Sequence, residues 1–445
     1  MSFASIPATG PGKTTSPASP PSAPPPPSCP STPASCSIFK ARKSASANSR
    51  EGAATSNPAP FFAITTEPVL GSSFLASTSY THFAKDVKPG DPVLLADGSI
   101  ELKVLSTDAV SVRCEVVTGG PLGDHKGINL PGVELTTSSL TRKDMEDLQH
   151  GLQAGVDFVA LSFVRKPSDL LRLKLFLEEH DAQLPVIAKI EKPEGWKNLE
   201  QILDESDGVM VARGDLGVEM ALEKVPFIQK RIIERARAKG KFVITATQML
   251  ESMIEHPSPT RAEVSDVANA ICDGTDAIML SAETATGKYP GKAVRMMTRI
   301  ADETEGWLRP QGFQEPLPPL TPSNAEIIAD AAYRAARSAG VAAIVVYTSS
   351  GASARLISRL RPPVPIYGFT QSESIARQLT ISFGVTPIIA PDVKSTDQML
   401  LQMEQRLVAA GLLKPNDNVV FVSGQPIGRP GSTNLIKLHR LGENN

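Results

Sequence analysis

The chain has few cysteines, no long apolar run and almost no net charge, and each absence excludes a class of protein. Its four cysteines, at positions 29, 36, 114 and 272, form no metal-binding spacing, which suits a reducing compartment. No apolar stretch has the length of a membrane span. A net charge of −2 gives no reason to expect a nucleic-acid partner. A length of 445 residues is ample for several hydrophobic cores.

Acidic residues are nearly absent from residues 1–60, which contain Glu51 alone but thirteen of the chain's 38 prolines. Such a composition cannot bury a core, so this segment is expected to be disordered. Its serine-rich, acid-poor character is also typical of an organellar transit peptide, while a linker or a non-native start explains it equally well. Cytoplasm and plastid are therefore both open as locations.

Two apolar segments, residues 186–191 and 208–215, each end in charged residues. Lys189 and Glu191 are two positions apart and share a strand face, as do Arg213 and Asp215. The interval between the segments suits one strand plus a covering helix, so parallel strands would bring a lysine and two carboxylates to one sheet edge. Carboxylates suit Mg²⁺, and a lysine suits a phosphoryl group. Solvated loop charge is the alternative for a single Lys-x-Glu, but the repetition favours a site.

The same design recurs at three more apolar segments that end in polar groups, residues 158–165, 242–248 and 277–284. Helical stretches such as residues 225–239 separate the five strands. A (β/α) barrel assembles its active site from several strand ends, which fits this pattern. The sequence therefore predicts an α/β protein with a partial (β/α)8 TIM-type barrel over residues 136–310.

Regions with different sequence patterns flank this barrel on both sides. Short alternating runs cut by Asp-Gly and Gly-Gly turns predict a compact all-β domain over residues 61–135. Alternating helices and strands predict a C-terminal open α/β domain over residues 323–445. Hydroxyls and amides gather where its second helix begins, which suits either a phosphate or a plain helix cap. The candidate phosphate residues are Thr348, Ser349, Ser350, Gly351 and Ser353.

The motifs along these segments resemble those of pyruvate kinase. They are Ile187-Ala-Lys-Ile-Glu191 with Glu194-Gly195, Ser206-Asp-Gly-Val-Met-Val-Ala-Arg-Gly-Asp-Leu-Gly217, Ala246-Thr-Gln-Met-Leu-Glu-Ser-Met253, Pro259-Thr-Arg-Ala-Glu263 with Ser265-Asp-Val-Ala-Asn269, and Met279-Leu-Ser-Ala-Glu-Thr284. The similarity extends from about Phe62 to Gly442. It implies a glycolytic enzyme that transfers a phosphoryl group from phosphoenolpyruvate to ADP, giving pyruvate and ATP. The implied cofactors are Mg²⁺, or Mn²⁺, and K⁺.

The resemblance also assigns roles to the strand-end residues. Lys189 resembles the lysine that stabilises the phosphoryl group in transfer, and Glu191 and Asp215 resemble the divalent-metal ligands. The backbone of Arg213, Gly214 and Asp215 resembles the segment that holds the substrate carboxylate. Thr247 resembles the threonine near the enolate carbon. Lys189, Thr247 and Arg213 are thus the expected catalytic residues.

Other matches are weaker as isolated signals. Ser162 and Phe163 resemble the pair beside the substrate's methylene group, although a phenylalanine is more often part of a core. In the resembled family the all-β domain is a lid over the site, and Asp97 and Lys126 resemble lid residues that face the site. Thr260 and Glu263 read as a helix-capping box. The family binds phosphorylated regulators at loops like residues 348–353, so the resemblance favours phosphate there.

Two motifs of the family have no match in the chain. These are an Arg-x-Asn-Phe-Ser-His-Gly type segment and an Asp-x-x-Gly-Pro type strand, which normally precede the lid and supply the monovalent-cation site. The K⁺ site is therefore expected to be missing, and a barrel with five recognisable strands cannot close. The alternative function is a non-catalytic relative that binds phosphorylated metabolites or associates with complete subunits. Homo-oligomers, tetramers in the family, are expected in either case.

Overall fold

The computed structural model describes residues 61–96, 98–124, 126–133, 136, 139–309, 322–338, 340–390, 393, 395–427 and 431–443, with the backbone of three short strands before residue 61. These strands are β1 (Ser2–Phe3), β2 (Cys36–Phe39) and β3 (Ser46–Asn48). The rest of residues 1–60 lies outside the described residues, so the expected disorder there stays a prediction. The three strands differ from that expectation because each pairs with another strand.

A small closed β-barrel forms the lid. Its order is β3-β5-β4-β8-β7-β6-β9. Along β7 the side chains of Ile100, Leu102 and Val104 are buried at every second position, which places them in the barrel interior. The lid elements are β4 (Phe61–Thr65), β5 (Leu75–Thr78), α1 (Phe83–Asp86), β6 (Pro92–Leu95), β7 (Ile100–Thr107), β8 (Ser111–Thr118) and β9 (Lys126–Asn129). The structure thus has a β-barrel with one short helix in this region, and its role as a lid stays a prediction.

The larger sheet runs β1-β2-β10-β11-β12-β13-β14, and its strands from β2 onward are parallel. Helices alternate with its strands along the chain. The elements are α2 (Arg142–Gln153), β10 (Phe158–Leu161), α3 (Pro167–Glu179), β11 (Val186–Ile190), α4 (Pro193–Lys197), α5 (Leu199–Glu205), β12 (Gly208–Ala212), α6 (Arg213–Glu219), α7 (Val225–Ala238), β13 (Phe242–Ala246), α8 (Arg261–Cys272), β14 (Ala277–Met279), α9 (Ala282–Ala285) and α10 (Pro290–Leu308). Two short 3₁₀ turns lie at Leu222–Lys224 and Glu251–Ile254.

Both faces of this sheet are buried, which explains why its strands are continuous apolar runs. One face, with Val186, Val209 and Val243, packs against the covering helices. The other face, with Ile187, Met210 and Ile244, forms a separate apolar cluster on the inner side. In the described part of the chain the sheet remains open, with β2 beside β10 and β14 at the far edge. The predicted partial barrel is thus confirmed.

Two of the barrel helices begin at capping boxes that are encoded in the local sequence. Thr260 accepts a hydrogen bond from the backbone of Glu263 at 3.2 Å, while the Glu263 carboxylate accepts from the Thr260 backbone at 2.8 Å. This is the capping box predicted from the sequence, and Thr141 with Asp144 forms a second one at α2. These boxes fix where α2 and α8 begin.

Gly195 allows α4 to pack against the end of the β10 segment. A Cβ atom at this position would lie 2.5 Å from the carbonyl oxygen of Val164, a backbone atom that cannot swing away. We expect Gly195→Ala to lower the free energy of unfolding by about 1–3 kcal/mol, the usual cost of overpacking. The matched control is Gly306→Ala in α10, where a Cβ meets no atom within 4 Å. Helix propensity predicts a gain of about 0.5–1 kcal/mol for the control. Urea denaturation of both variants checks this, and equal effects would contradict it.

The C-terminal domain is an open α/β sheet ordered β17-β16-β15-β18-β19, in which only the β18–β19 pair is antiparallel. Its elements are α11 (Asn324–Ser338), β15 (Ala343–Tyr347), α12 (Ala352–Ser358), β16 (Ile366–Thr370), α13 (Glu373–Leu379), β17 (Val385–Ile389), α14 (Thr396–Ala409), β18 (Asn418–Gly424) and β19 (Thr433–Arg440). The predicted fold class is confirmed here too, while the domain boundaries stay predictions. Among the helices that the structure describes, none combines the length and apolar content needed to cross a membrane.

Candidate active site

The ends of β10 and β11 are joined by a buried polar cluster. The Lys189 ammonium donates to Ser162 Oγ at 2.9 Å and lies 2.6 Å from Glu191 Oε1. The backbone N–H of Phe163 donates to Glu191 Oε2 at 2.6 Å. The structure therefore brings together four residues that the sequence proposed separately. Phe163 has φ 55°, a left-handed conformation that turns the chain sharply at this strand end.

Glu191 is fully buried, with 0% of its surface exposed. Burial raises the pKa of its carboxyl group, the nearby Lys189 ammonium opposes that rise, and the Asp215 carboxylate adds to it. Its Oε1 atom accepts no hydrogen bond of good geometry from the described residues, although it touches the ammonium. Two neighbouring carboxylates, one of them desolvated, form a place where a cation would relieve repulsion.

Asp215 lies in the first turn of α6, directly after β12. The same turn contains Gly214, whose backbone N–H donates to Thr247 Oγ1 at 2.8 Å. The Thr247 hydroxyl in turn donates to the carbonyl of Ala246 at 2.6 Å. The ends of β12 and β13 are thus linked through one hydroxyl group.

Arg213 holds the loop that follows β13. Its guanidinium donates to the carbonyls of Thr247 at 2.8 Å and Gln248 at 3.1 Å. Thr247 and Gln248 have φ values of 68° and 53°, which are strained for residues other than glycine. Asp266 on α8 fixes the guanidinium from the other side at 2.7 Å. The Asp266 carboxylate therefore lies against Arg213, at the side of the site.

Glu283, in the short helix α9 that follows β14, supports the same region. Its carboxylate is completely buried and accepts from the backbone N–H groups of Leu250 at 3.1 Å and Ser281 at 2.8 Å. It therefore ties the loop after β13 to the end of β14. These contacts give Glu283 a positioning role.

The lid residues are only partly described. Asp97 lies outside the described residues. Lys126 is the first residue of β9 and is exposed. A buried contact between lid and barrel, formed by Asn129, Lys192 and Glu219, was missed by the sequence reasoning. The sequence offers one signal for this contact, which is that Lys192 directly follows Glu191.

The candidate phosphate loop lies in the C-terminal domain, between β15 and α12. Gly351 has φ 78° and its N–H donates to Thr348 Oγ1 at 2.9 Å. Ser353 Oγ is 2.5 Å from Thr433 Oγ1, and both hydroxyls are buried. Ser349 and Ser350 are half-buried. Several hydroxyls thus already have partners within the fold, and phosphate binding at this loop stays a prediction.

The two carboxylates of Glu191 and Asp215 suit Mg²⁺ better than they suit a metal whose ligands all come from the protein. Among the described residues, no group of three or more histidine, cysteine, aspartate or glutamate side chains could hold a metal. Mg²⁺ commonly takes one or two carboxylates and completes its shell with water and substrate oxygens. Glu191 and Asp215 match that requirement.

Comparisons with known proteins agree with this geometry. The family model for the pyruvate kinase barrel domain matches residues 58–294, and the model for the pyruvate kinase alpha/beta domain matches residues 326–439. The pyruvate kinase of Mycobacterium tuberculosis is 46% identical over 382 residues, covering 85% of this chain and 80% of the relative. Corynebacterium glutamicum pyruvate kinase is 44% identical over 380 residues, covering 85% and 79%. Geobacillus stearothermophilus pyruvate kinase is 45% identical over 387 residues, covering 85% and 65%. With both its barrel domain and its α/β domain matched, the chain belongs to the pyruvate kinase family.

Proposed function

We propose that this chain transfers a phosphoryl group from phosphoenolpyruvate to ADP, giving pyruvate and ATP. The observation that carries the proposal is the buried pair of Lys189 and Glu191, 2.6 Å apart at the end of β11, with Asp215 in the first turn after the adjacent strand β12. One cation and two carboxylates at such an edge are the groups that a phosphoryl transfer needs for charge stabilisation.

Lys189 is proposed to stabilise the charge on the transferred group. Its ammonium is held by Ser162 and Glu191, so its position is fixed before substrate arrives. Because the residue is only 7% exposed, its charge acts in a poorly solvated environment, where electrostatic attraction is stronger than in water. Preorganised charge of this kind costs no rearrangement during the reaction.

Glu191 and Asp215 are proposed to hold Mg²⁺ or Mn²⁺. A bound divalent ion would neutralise negative charge on the substrate's phosphoryl and carboxylate oxygens. Asp215 lies in the first turn of α6, which directly follows β12, and β12 pairs with β11, the strand that precedes Glu191.

Thr247 and Arg213 are proposed to act together on the enolate side of the site. The Thr247 hydroxyl is positioned by Gly214 N–H and the Ala246 carbonyl, and Arg213 holds the strained backbone around it. The Arg213 guanidinium is fully engaged with loop carbonyls and Asp266, so we assign it to positioning. The backbone of residues 213–215 is proposed to hold the substrate carboxylate.

Two further family properties are proposed for this chain, a phosphorylated effector at residues 348–353 and assembly into homo-oligomers. K⁺ dependence is not among them, because the family's K⁺ site is expected to be missing. A cytoplasmic or plastid location stays a prediction.

The direct test is pyruvate formation by the purified chain from phosphoenolpyruvate and ADP, with Mg²⁺ and K⁺ and with excess chelator. We expect turnover that depends on the divalent ion. A soluble, folded chain without turnover would contradict the proposal and favour the non-catalytic alternative.

The metal assignment is tested by Glu191→Gln. Replacing one of two carboxylate ligands is expected to weaken Mn²⁺ binding on the order of 100-fold, because a neutral amide oxygen is a poorer ligand for a hard divalent ion. Isothermal titration with Mn²⁺ measures this without requiring activity. The matched control is Glu200→Gln, which removes a carboxylate paired with Arg235 on the barrel exterior. Unchanged Mn²⁺ affinity in Glu191→Gln would contradict the assignment.

A further inference from the structure

Three buried polar side chains connect the lid to the barrel, and we call them the lid clamp: Asn129, Lys192 and Glu219. Their residues are 2%, 8% and 6% exposed. Glu219 Oε1 accepts a hydrogen bond from Asn129 Nδ2 at 3.0 Å and lies 2.5 Å from the Lys192 ammonium. A single carboxylate oxygen therefore connects an amide from the lid to an ammonium from the barrel.

The clamp lies next to the proposed catalytic groups along the chain. Asn129 ends β9, the lid strand that begins with Lys126. Lys192 directly follows Glu191, and its ammonium lies 5.9 Å from the centre of the Phe163 ring. Glu219 ends α6, whose first turn contains Asp215. The clamp thus links the lid to the two segments that bear the proposed metal ligands.

Beside the clamp, the lid also approaches α6 at a second place. A Cβ atom at Gly98, in the turn between β6 and β7, would be 4.0 Å from Val218 Cγ1. Val218 immediately precedes Glu219 in α6. The lid therefore approaches the C-terminal turn of α6 at Gly98 and contacts it through the buried hydrogen bond of Asn129 with Glu219.

The energetics of the clamp suit a contact that forms and breaks. Among the described residues, Asn129 Oδ1 and Glu219 Oε2 are buried but accept no hydrogen bond. Unpaired buried acceptors offset part of the gain from the ion pair, so the closed contact is weaker than a fully satisfied one. The lid's own core is built from residues such as Ile64, Phe83 and Leu102 and does not include Asn129. Opening the clamp leaves that core intact.

We propose that Glu219 is a positioning residue that holds the lid over the site through Asn129, with Lys192 fixing its carboxylate. This inference rests on the proposed function, because lid closure matters only if water must be excluded during transfer. By holding β9, the clamp also sets where Lys126 lies relative to Glu191 and Asp215. The clamp residues themselves touch no reacting group.

The test uses Asn129→Ala in the full chain, with Val117→Ala as control. Val117 is on lid strand β8 and is 54% exposed, so its truncation changes the lid surface without touching the clamp. Hydrogen–deuterium exchange is measured for the backbone of residues 126–129, and kcat and KM are measured for pyruvate formation. We expect exchange about fivefold faster in Asn129→Ala, kcat about tenfold lower, and KM for phosphoenolpyruvate within about twofold of the unmodified chain.

Two substitutions of Lys192, one that removes its charge and one that keeps it, test the role of that charge. Lys192→Met removes the charge that fixes Glu219 and is expected to act like Asn129→Ala, while Lys192→Arg keeps the charge and is expected to restore most of kcat. If Asn129→Ala unfolds the chain, Asn129→Ser repeats the test with a residue that keeps a hydrogen-bond donor. Equal kcat in Lys192→Met and Lys192→Arg would overturn the role given to the Lys192 charge.

Two results would overturn the proposal as a whole. In one, Asn129→Ala matches Val117→Ala in both exchange and kcat, which means that the clamp does not hold the lid. In the other, exchange rises while kcat stays unchanged, which means that the clamp does not serve transfer. If the unmodified chain forms no pyruvate, the proposed function fails, and the positioning role falls with it. Faster exchange in Asn129→Ala would then show separately that the lid contact itself exists.

Discussion

Replacing Lys189 with methionine is expected to lower kcat for pyruvate formation by at least about 10³-fold, the scale of losing a preorganised charge in phosphoryl transfer. Methionine has a similar length but cannot supply the positive charge or the hydrogen bond to Ser162. Glu191 would then be buried beside Asp215 without its counter-charge, so burial would raise its pKa further and favour a proton over a metal. Initial rates at saturating phosphoenolpyruvate, ADP and Mg²⁺ measure the effect.

The matched control is Lys174→Met. Lys174 is on α3 and pairs with Glu205 at 3.5 Å, with both side chains about a third exposed. This pair is partly solvated and contributes little to stability, so we expect rates within about twofold of the unmodified chain. A Lys189→Met variant that keeps a tenth or more of the activity would show that the lysine does not stabilise the transferred group.

Replacing Arg361 with methionine is expected to lower the free energy of unfolding by about 3–5 kcal/mol, the usual cost of breaking a buried ion pair. The Arg361 side chain is 0% exposed and lies 2.8 Å from Asp276 Oδ1. It also donates to the carbonyl of Gly274 at 2.6 Å and stacks 4.3 Å from the centre of the Phe383 ring. Because Asp276 belongs to the barrel and Arg361 to the C-terminal domain, the pair joins the two.

Thermal unfolding followed by circular dichroism checks this, and a fall in Tm of roughly 5–10 °C is expected for a chain of this size. Arg334→Met is the matched control, since the Arg334 side chain is 68% exposed and pairs with Asp330 one helical turn away. Its expected cost is below about 0.5 kcal/mol. A Tm shift in Arg361→Met no larger than in the control would mean that the interface does not depend on this buried pair.

Much of the fold could be predicted because its signals are local. Strands such as β11 and β12 are short apolar runs of β-branched residues, and each ends where charge begins. The capping box of Thr260 and Glu263 is contained in four residues and marked the start of α8 correctly. The candidate phosphate loop was placed correctly between β15 and α12, but its occupant is not determined by its hydroxyls, since Thr348 and Ser353 bond within the fold.

The positioning residues could not be predicted, because their roles depend on contacts distant in sequence. The catalytic role predicted for Arg213 stays a prediction, but the sequence did not show that its guanidinium holds the backbone of Thr247 and is itself held by Asp266, 53 positions away. Asn129 and Glu219 are separated by 90 positions and share one hydrogen bond. An asparagine at a strand end and a glutamate at a helix end are common, so neither residue can be recognised from the sequence as part of a contact.

The sequence by itself determined the fold class, the family and the cluster of lysine and carboxylates, because strand periodicity places Lys189 and Glu191 on one face and parallel strands share one edge. Only the tertiary structure decided how that cluster is held. Burial sets the direction of the Glu191 pKa shift, Asp266 and Arg213 fix the Thr247 loop, and Glu219 joins the lid to the barrel. Each of these depends on distances and solvent exclusion that arise only when remote segments pack together.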